Sequence, residues 1–109
     1  MQTHDVYWLA GLIEGEGCLS RDKNGKGYAI RIRVAMTDED VVRKCAAVSG
    51  VGHVRGPYTS YGSLGTKPMY SWTVCKKSHV TLLLRAIYPL MGTRRQARIR
   101  ELLDGPLAS

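Results

Sequence analysis

The chain has 109 residues, with 16 lysines and arginines against nine acidic residues and a formal net charge of +7. This length predicts one domain over residues 1–109 with a modest core. No stretch approaches the roughly 20 apolar residues that span a bilayer, and no basic region precedes an apolar signal core. We therefore expect a soluble intracellular protein. The three cysteines are odd in number and widely spaced, so we expect reduced thiols rather than disulfides or a zinc cluster.

The positive charge is concentrated in the second half of the chain. No Asp or Glu occurs from Val41 to Arg100, a stretch that contains many lysines and arginines. Solvated surfaces normally mix both signs of charge, whereas a one-signed stretch suits a polyanion. This distribution favours nucleic acid as the partner over a membrane, because no basic amphipathic helix is evident.

The first elements predicted are a helix and a β-hairpin. The helix runs from about Asp5, as N-cap, to Gly15. A strand over residues 18–23, an Asn-Gly turn and a second strand over residues 28–37 follow. In the second strand one face carries four apolar residues and the other carries two arginines. The first set is Ile30, Ile32, Val34 and Met36, and the second is Ala29, Arg31, Arg33, Ala35 and Thr37.

A second helix and hairpin come next. Thr37 or Asp38 can cap the helix, and Gly50 is a natural C-terminal residue. Residues 51–60 and 69–76 read as strands joined by the loop of residues 61–68. Tyr70, Trp72 and Val74 are predicted to face the core.

Two further helices complete the predicted order α-β-β-α-β-β-α-α. Ser78 can cap a helix over residues 79–88, which Pro89 ends. The last helix has a capping-box pattern at Thr93 and Gln96, and it ends at Gly105-Pro106.

This order predicts an α+β fold with helices on one face of an antiparallel sheet. The other sheet face would be open and basic, and such a sheet can lie in the major groove of DNA. The candidate DNA-binding residues are Ser20, Asp22, Arg31, Arg33, Thr37, Arg55, Thr59, Ser71, Thr73 and Lys76.

The stretch "LAGLIEGEG" of the first helix combines glycines with two glutamates. Gly11 and Gly15 are four residues apart, so they share a helix face where a second helix can approach closely. The chain has no second copy of this pattern, which predicts a two-fold homodimer. Leu9 and Leu12 are the other candidate interface residues.

A dimer of this kind would bring Glu16 near the Glu16 of its partner. Two carboxylates repel unless a cation or a proton lies between them, and oxygen ligands favour Mg²⁺. A metal ion beneath a basic sheet could activate water and stabilise the leaving oxygen in phosphodiester hydrolysis.

Residues Leu9 to Gly17 also resemble the signature of the LAGLIDADG homing endonucleases, with Glu14, Gly15 and Glu16 in place of Asp, Ala and Asp. The element order and the segment "PLMGTRRQA" resemble that family as well. The resemblance implies an αββαββα fold with a saddle-shaped four-stranded sheet, and motif helices at a dimer axis. It also implies divalent-metal cleavage of both strands of a near-palindromic double-stranded DNA site, with intron or intein mobility as the genetic context.

The resemblance also implies roles for individual residues. Glu16 matches the metal-binding acid, with the carbonyl of Gly15 as a further ligand, and Glu14 is expected in the helix interface or an ion pair. Arg95 or Arg94 falls at the basic active-site position, although arginine does not readily lose a proton. Asp38 stands where the family often has a glutamine that positions water.

Two alternatives keep the same basic face. One is a non-cleaving nucleic-acid-binding protein, such as a regulator or an RNA-splicing maturase. The other is a basic structural domain whose first helix only assembles a larger complex.

Overall fold

The computed structural model describes residues 1–25, 27–59 and 67–104, and in these residues helices and strands follow the predicted order. The elements are α1 (Thr3–Glu16), β1 (Gly17–Asn24), β2 (Gly27–Met36), α2 (Glu39–Ser49), β3 (His53–Tyr58), β4 (Met69–Val74), α3 (Lys77–Ile87), a 3₁₀ turn (Tyr88–Leu90) and α4 (Thr93–Asp104). The predicted α+β class is confirmed. Residues 61–66 of the predicted loop 61–68, and the predicted helix end at Gly105-Pro106, lie outside the described residues.

The strands form one antiparallel sheet in the order β1-β2-β4-β3. Each hairpin contributes its second strand to the centre, where β2 pairs with β4. Asn24 pairs with Gly27, so the first turn begins one residue later than the Asn-Gly pattern predicts. A register shift between Arg55 and Tyr58 interrupts the outer pair β3-β4.

The helices cover one face of this sheet and enclose the core. Ile32 and Val34 of β2 are fully buried and lie opposite Val74 and Trp72 of β4. The predicted division of β2 into an apolar face and an arginine face is therefore confirmed. The Trp72 indole donates a hydrogen bond to the carbonyl of Val51 at 3.0 Å, which satisfies its one polar atom. Among the described helices, none has the length and apolar character needed to cross a bilayer.

Two helix starts differ from the predicted caps and one agrees. Gln2, rather than Asp5, is the N-cap of α1, and the Asp5 carboxylate accepts a hydrogen bond from the Gln2 backbone N–H. Lys76 takes the N-cap position of α3 that is predicted for Ser78. Asp38, one of the two residues predicted to cap α2, is its N-cap. Helices α1 and α3 begin earlier than predicted because a side chain that is able to cap does not decide where packing begins the helix.

The C-terminal end of α2 agrees with its prediction, whereas the start of α4 does not. Gly50 ends α2 in a left-handed conformation with φ +70°, as predicted. The predicted capping box of α4 is not formed, because the Gln96 amide donates instead to the carbonyl of Tyr88 at 2.9 Å. The backbone N–H of Gly92, just before α4, donates to Glu14 of α1. A distant carboxylate thus supplies the cap.

The cysteines differ in accessibility, which gives a testable expectation. Cys18 and Cys75 are exposed, whereas Cys45 is buried, and burial raises the pKa of the Cys45 thiol to about 11. The thiolate is the reactive form, so at pH 8 little of Cys45 can react. We expect iodoacetamide to alkylate Cys18 and Cys75 in the native protein and Cys45 only after denaturation, as measured by peptide mass spectrometry. Rapid native labelling of Cys45 would contradict this burial.

Candidate nucleic-acid interface and acidic helix end

The sheet face away from the helices is here called the open face. Cross-strand register places alternate residues of every strand on it, because facing partners share a side of the sheet. Its members in the regular register are Cys18, Ser20, Asp22, Ala29, Arg31, Arg33, Ala35, His53, Arg55, Ser71 and Thr73. The open face is thus a polar and mainly basic surface.

Most of the predicted DNA-binding residues meet on this face. A shallow depression in its centre is lined by Arg31, Arg33, His53, Arg55, Ser71, Thr73 and Cys75. Ser71 forms the floor and is only 4% exposed, so little of its side chain is left to meet a base. Ser20 lies opposite Arg31 at the neighbouring strand.

Three other predicted contacts lie outside the open face. Thr37 follows the end of β2, Thr59 follows the end of β3, and Lys76 precedes α3; all three are exposed. They are placed around the sheet, at strand and helix ends, rather than on the paired part of the open face.

His53 also belongs to this surface, although it was not among the predicted DNA-binding residues. His53 is two residues before Arg55 in β3 and lies opposite Thr73. The period of two in a strand would have placed His53 and Arg55 on the same face. Tyr58 lies beyond the register shift that follows Arg55, so the period of two does not assign its face, and its hydroxyl contacts Arg33 of the open face.

The arginines of the open face are held by neighbouring side chains. Arg31 Nη1 lies 3.2 Å from Asp22 Oδ2, across strands β1 and β2. Arg33 Nη2 donates a hydrogen bond of 2.9 Å to the Tyr58 hydroxyl. Arg55 is exposed and forms neither an ion pair nor a side-chain hydrogen bond with the residues described.

At the C-terminal end of α1, the two glutamates have different surroundings. Glu16 is the last residue of the helix and is exposed, and within the described part of the chain its carboxylate has no hydrogen bond or ion pair. The following Gly17 ends the helix, and a Cβ there would lie 2.7 Å from the carbonyl oxygen of Ile13. The close approach explains why this position is glycine, and the tight helix end leaves Glu16 facing solvent.

Glu14 is instead bound to α4. One of its carboxylate oxygens accepts the Gly92 N–H at 2.7 Å, and the other lies 3.3 Å from Arg95 Nε. Arg95 Nη2 also donates to the carbonyl oxygens of Glu14, at 3.3 Å, and of Gly17, at 2.9 Å. This group of Glu14, Gly92 and Arg95 is called the α1–α4 clamp. It places a cation at a helix C-terminus, where the helix dipole favours one.

The clamp gives a stability prediction. Arg95→Ala would remove the cation paired with the Glu14 carboxylate and the donor to two carbonyls, and we expect it to destabilise the fold by about 1–3 kcal/mol. The neighbouring Arg94 is exposed, and Arg94→Ala should change stability by no more than about 0.5 kcal/mol. Urea unfolding of the two variants measures the difference. Equal stabilities would show that the clamp is not significant for folding.

The glycine face of α1 is exposed. Neither Gly11 nor Gly15 would bring an added Cβ within 4 Å of any other described atom. Within the described part of the chain, therefore, no contact requires glycine at these two positions. Tyr7, four residues before Gly11, is 60% exposed on the same side of the helix. Tyr7 was not among the predicted interface residues, although its spacing of four residues from Gly11 places it on the glycine face.

The prediction for one interface residue was wrong. Leu9 is fully buried in the core of the protomer and has no surface to offer a partner chain. It lies two residues from Gly11, about 200° around the helix, and its apolar side chain belongs to the face that packs on the sheet. Leu12 is half-buried and packs against the core edge.

The remaining predicted site residues are exposed. Asp38 is the N-cap of α2, and its carbonyl, not its carboxylate, accepts the N–H groups of Val41 and Val42. Arg94 lies in the first turn of α4, next to Arg95 of the clamp. Within the described residues, no group of three His, Cys, Asp or Glu side chains could hold a metal ion.

The chain was compared with known proteins. No family model and no curated protein matches it. Solved structures of homing endonucleases do match. The homing endonuclease I-CvuI, in complex with its target and Ca, is 18% identical, with a TM-score of 0.72 over 94% of this chain and 68% of that chain.

Two further structures have the same architecture. The archaeal intron-encoded homing endonuclease I-Vdi141I, complexed with DNA, is 14% identical, with a TM-score of 0.70 over 97% of this chain and 70% of that one. The LAGLIDADG meganuclease I-AabMI, bound to uncleaved DNA, is 14% identical, with a TM-score of 0.68 over 87% of this chain and 33% of that chain. Across these three structures, sequence identity is low while the helices and strands superpose along almost the whole chain. The protein has the fold of the LAGLIDADG homing endonucleases.

Proposed function

We propose that the protein is a site-specific double-strand DNA endonuclease, acting as a homodimer on a near-palindromic site with a divalent metal ion. The observation that carries this proposal is the exposed Glu16 carboxylate at the end of a helix whose glycine face is also exposed. The basic open face and the DNA complexes of the similar structures support it. We expect the protein to act inside the cell, in the context of intron or intein mobility.

Double-stranded DNA is the proposed ligand of the open face. Arg31, Arg33 and Arg55 give this face a positive charge that attracts phosphates. Thr73 and Ser20 add hydroxyl groups that can donate to or accept from base edges. A sheet with this composition can bind along the major groove.

The homodimer is proposed from the glycine face. Packing of α1 against α1 of a second copy would use the open space around Gly11 and Gly15 and would cover the exposed ring of Tyr7. A two-fold axis between the helices presents the same patch from both chains. The axis would bring the two Glu16 side chains to neighbouring positions beneath the DNA.

The donors present fit a hard divalent cation. In the proposed dimer, Glu16 of each chain and the carbonyl of Gly15 would hold the ion together with phosphate oxygens of the DNA. When bound, Mg²⁺ would polarise the scissile phosphate and lower the pKa of a coordinated water. Two complexes of the similar protein I-CvuI were crystallised with DNA in the presence of 2 mM Ca and of 2 mM Mg, and in the Mg complex the DNA was not cleaved.

The nearby polar residues have proposed supporting roles. Arg94 is exposed and can neutralise a phosphate of the bound DNA. Asp38 can accept a hydrogen bond from water at the edge of the site. Arg95, which is 18% exposed, is held within the clamp, and its contribution would be to fix the end of α1 that carries Glu16.

Cleavage of a randomised duplex library tests the proposal. The protein is incubated with the library in Mg²⁺, and cut ends are captured and sequenced. We expect double-strand breaks at one near-palindromic sequence, and none in EDTA. The absence of cut product from the wild-type protein would overturn the endonuclease proposal.

The α1–α4 clamp favours one alternative function. The arginine at the expected basic active-site position is occupied by Glu14 and two carbonyls, an arrangement compatible with a DNA- or RNA-binding protein that does not cleave. Such a regulator or maturase would bind tightly, with an affinity that falls steeply with salt. Binding without Mg²⁺-dependent cleavage, in the same library, distinguishes this function from the endonuclease.

A further inference from the structure

We propose that Arg31 and Arg33 each bind a guanine, at two positions separated by one base pair, in each half of the DNA site. This inference rests on the proposed function, and it specifies the sequence that the open face selects. It is carried by the side chains that hold the two guanidinium groups.

The first observation is an acidic residue on a basic face. Asp22 lies on the open face, and its Oδ2 is 3.2 Å from Arg31 Nη1. A carboxylate repels DNA phosphates, so Asp22 would weaken a surface that bound only the backbone. By orienting Arg31 toward a base edge, Asp22 contributes to base recognition, and this gain offsets the repulsion. Both side chains are nearly half exposed, so they are accessible to DNA.

The second observation is that Arg33 is held in a similar way by a neutral group. Its Nη2 donates to the hydroxyl of Tyr58, which comes from β3, two strands away in the sheet. A long side chain loses rotamer freedom when it binds, and a partner that holds it in advance reduces that cost. Arg31 and Arg33 are therefore organised before DNA arrives.

The donors that remain free match guanine. A guanidinium has five N–H groups, and each of the observed contacts uses one nitrogen. An edge with two parallel N–H groups is left on Arg31 and on Arg33. Two such donors match the O6 and N7 acceptors of guanine in the major groove, whereas adenine presents one acceptor and one donor there.

The spacing follows from strand geometry. Arg31 and Arg33 are two residues apart on β2, which corresponds to about 6.6 Å along the strand. Base pairs follow one another at about 3.4 Å. The length of two base-pair steps is therefore nearly equal to the length of two residues in a strand. With β2 along the groove, the two arginines reach guanines with one base pair between them.

Arg55 provides a matched control on the same face. It lines the same depression as Arg31 and Arg33, but no described side chain holds its guanidinium. We expect Arg55 to contact phosphate. Arg55→Ala should thus weaken binding of every sequence to a similar degree.

The test is selection of bound sequences from a randomised duplex library in Ca²⁺, with wild-type protein and variants whose folding is confirmed by circular dichroism. We expect a guanine-any-guanine element in each half-site. Arg31→Ala and Arg33→Ala should each reduce the preference at one of the two guanines by about five- to a hundredfold. Asp22→Asn and Tyr58→Phe should relax the same two positions, respectively, with little loss of total affinity.

Several outcomes would overturn the inference. Specific binding with no guanine that responds to Arg31→Ala or Arg33→Ala would reject it, while the proposed DNA-binding function would stand. Uniform weakening by all three arginine variants would assign these residues to phosphates. Failure to select any sequence would reject the inference and the proposed function together.

Discussion

Glu16→Gln is expected to abolish Mg²⁺-dependent cleavage while leaving the fold and DNA binding in place. The carboxylate is exposed and has no ion pair or hydrogen bond with the described residues, so its neutralisation removes no contact within the protomer. It removes the anionic ligand proposed for the metal ion. A divalent ion supplies several kcal/mol of transition-state stabilisation, so the cleavage rate should fall by about a thousandfold. Single-turnover cleavage of the selected site measures this change.

Glu14→Gln is the matched control for this experiment. It makes the same chemical change two residues earlier, but in the α1–α4 clamp, where Glu14 accepts the Gly92 N–H and pairs with Arg95. Glu14→Gln should lower stability to urea and, at temperatures where the protein is folded, reduce cleavage far less than Glu16→Gln does, because Glu14 only helps to fix the end of α1. Unchanged cleavage by Glu16→Gln would contradict the proposed site, and so would an equal loss of cleavage in folded Glu14→Gln.

Gly11→Leu is expected to prevent dimer formation without unfolding the protomer. A Cβ at this position meets no atom within 4 Å, and leucine in a helix interior is more favourable than glycine by about 0.8 kcal/mol. The protomer should thus be as stable as the wild type or slightly more stable. Between two closely packed helices, however, the leucine side chain would separate the backbones. Sedimentation velocity should show a monomer, and cleavage should be lost with the dimer.

The control is Ala47→Leu, which adds similar bulk at an exposed position of α2. Its mass and activity should match those of the wild type. If Gly11→Leu remained a dimer with normal activity, the glycine face of α1 would not be the interface. Unfolding of Gly11→Leu would contradict the open space that surrounds Gly11.

The sheet could be predicted from local patterns because apolar and polar residues alternate along its strands. In β2 every second residue is apolar, and Ile32 and Val34 are buried while Arg31 and Arg33 are exposed. The same logic assigned Trp72 of β4 to the core. A strand buried on one face has a strong period of two, so its sequence determines which side faces the helices.

Features that depend on distant residues could not be predicted in this way. The N-terminus of α4 is capped by Glu14, 78 residues away from Gly92 in the chain, and no local pattern at Thr93 reveals it. The motif in Leu9 to Gly17 predicts Leu9 in an interface, but Leu9 is buried in the core. The motif does not reveal which face of α1 packs on the sheet. The pair of Arg33 and Tyr58 needs both the sheet order and the register shift in β3.

The mass of the protein on its DNA site is the most direct test of the central claim, that two chains form one active centre. Sedimentation velocity in Ca²⁺, with a fluorescent duplex that carries the selected sequence, measures how many chains bind each duplex. We expect two chains per duplex, with each half-site bound by one open face. One chain per duplex, with the protein monomeric both free and bound, would contradict the two-fold site of paired Glu16 residues.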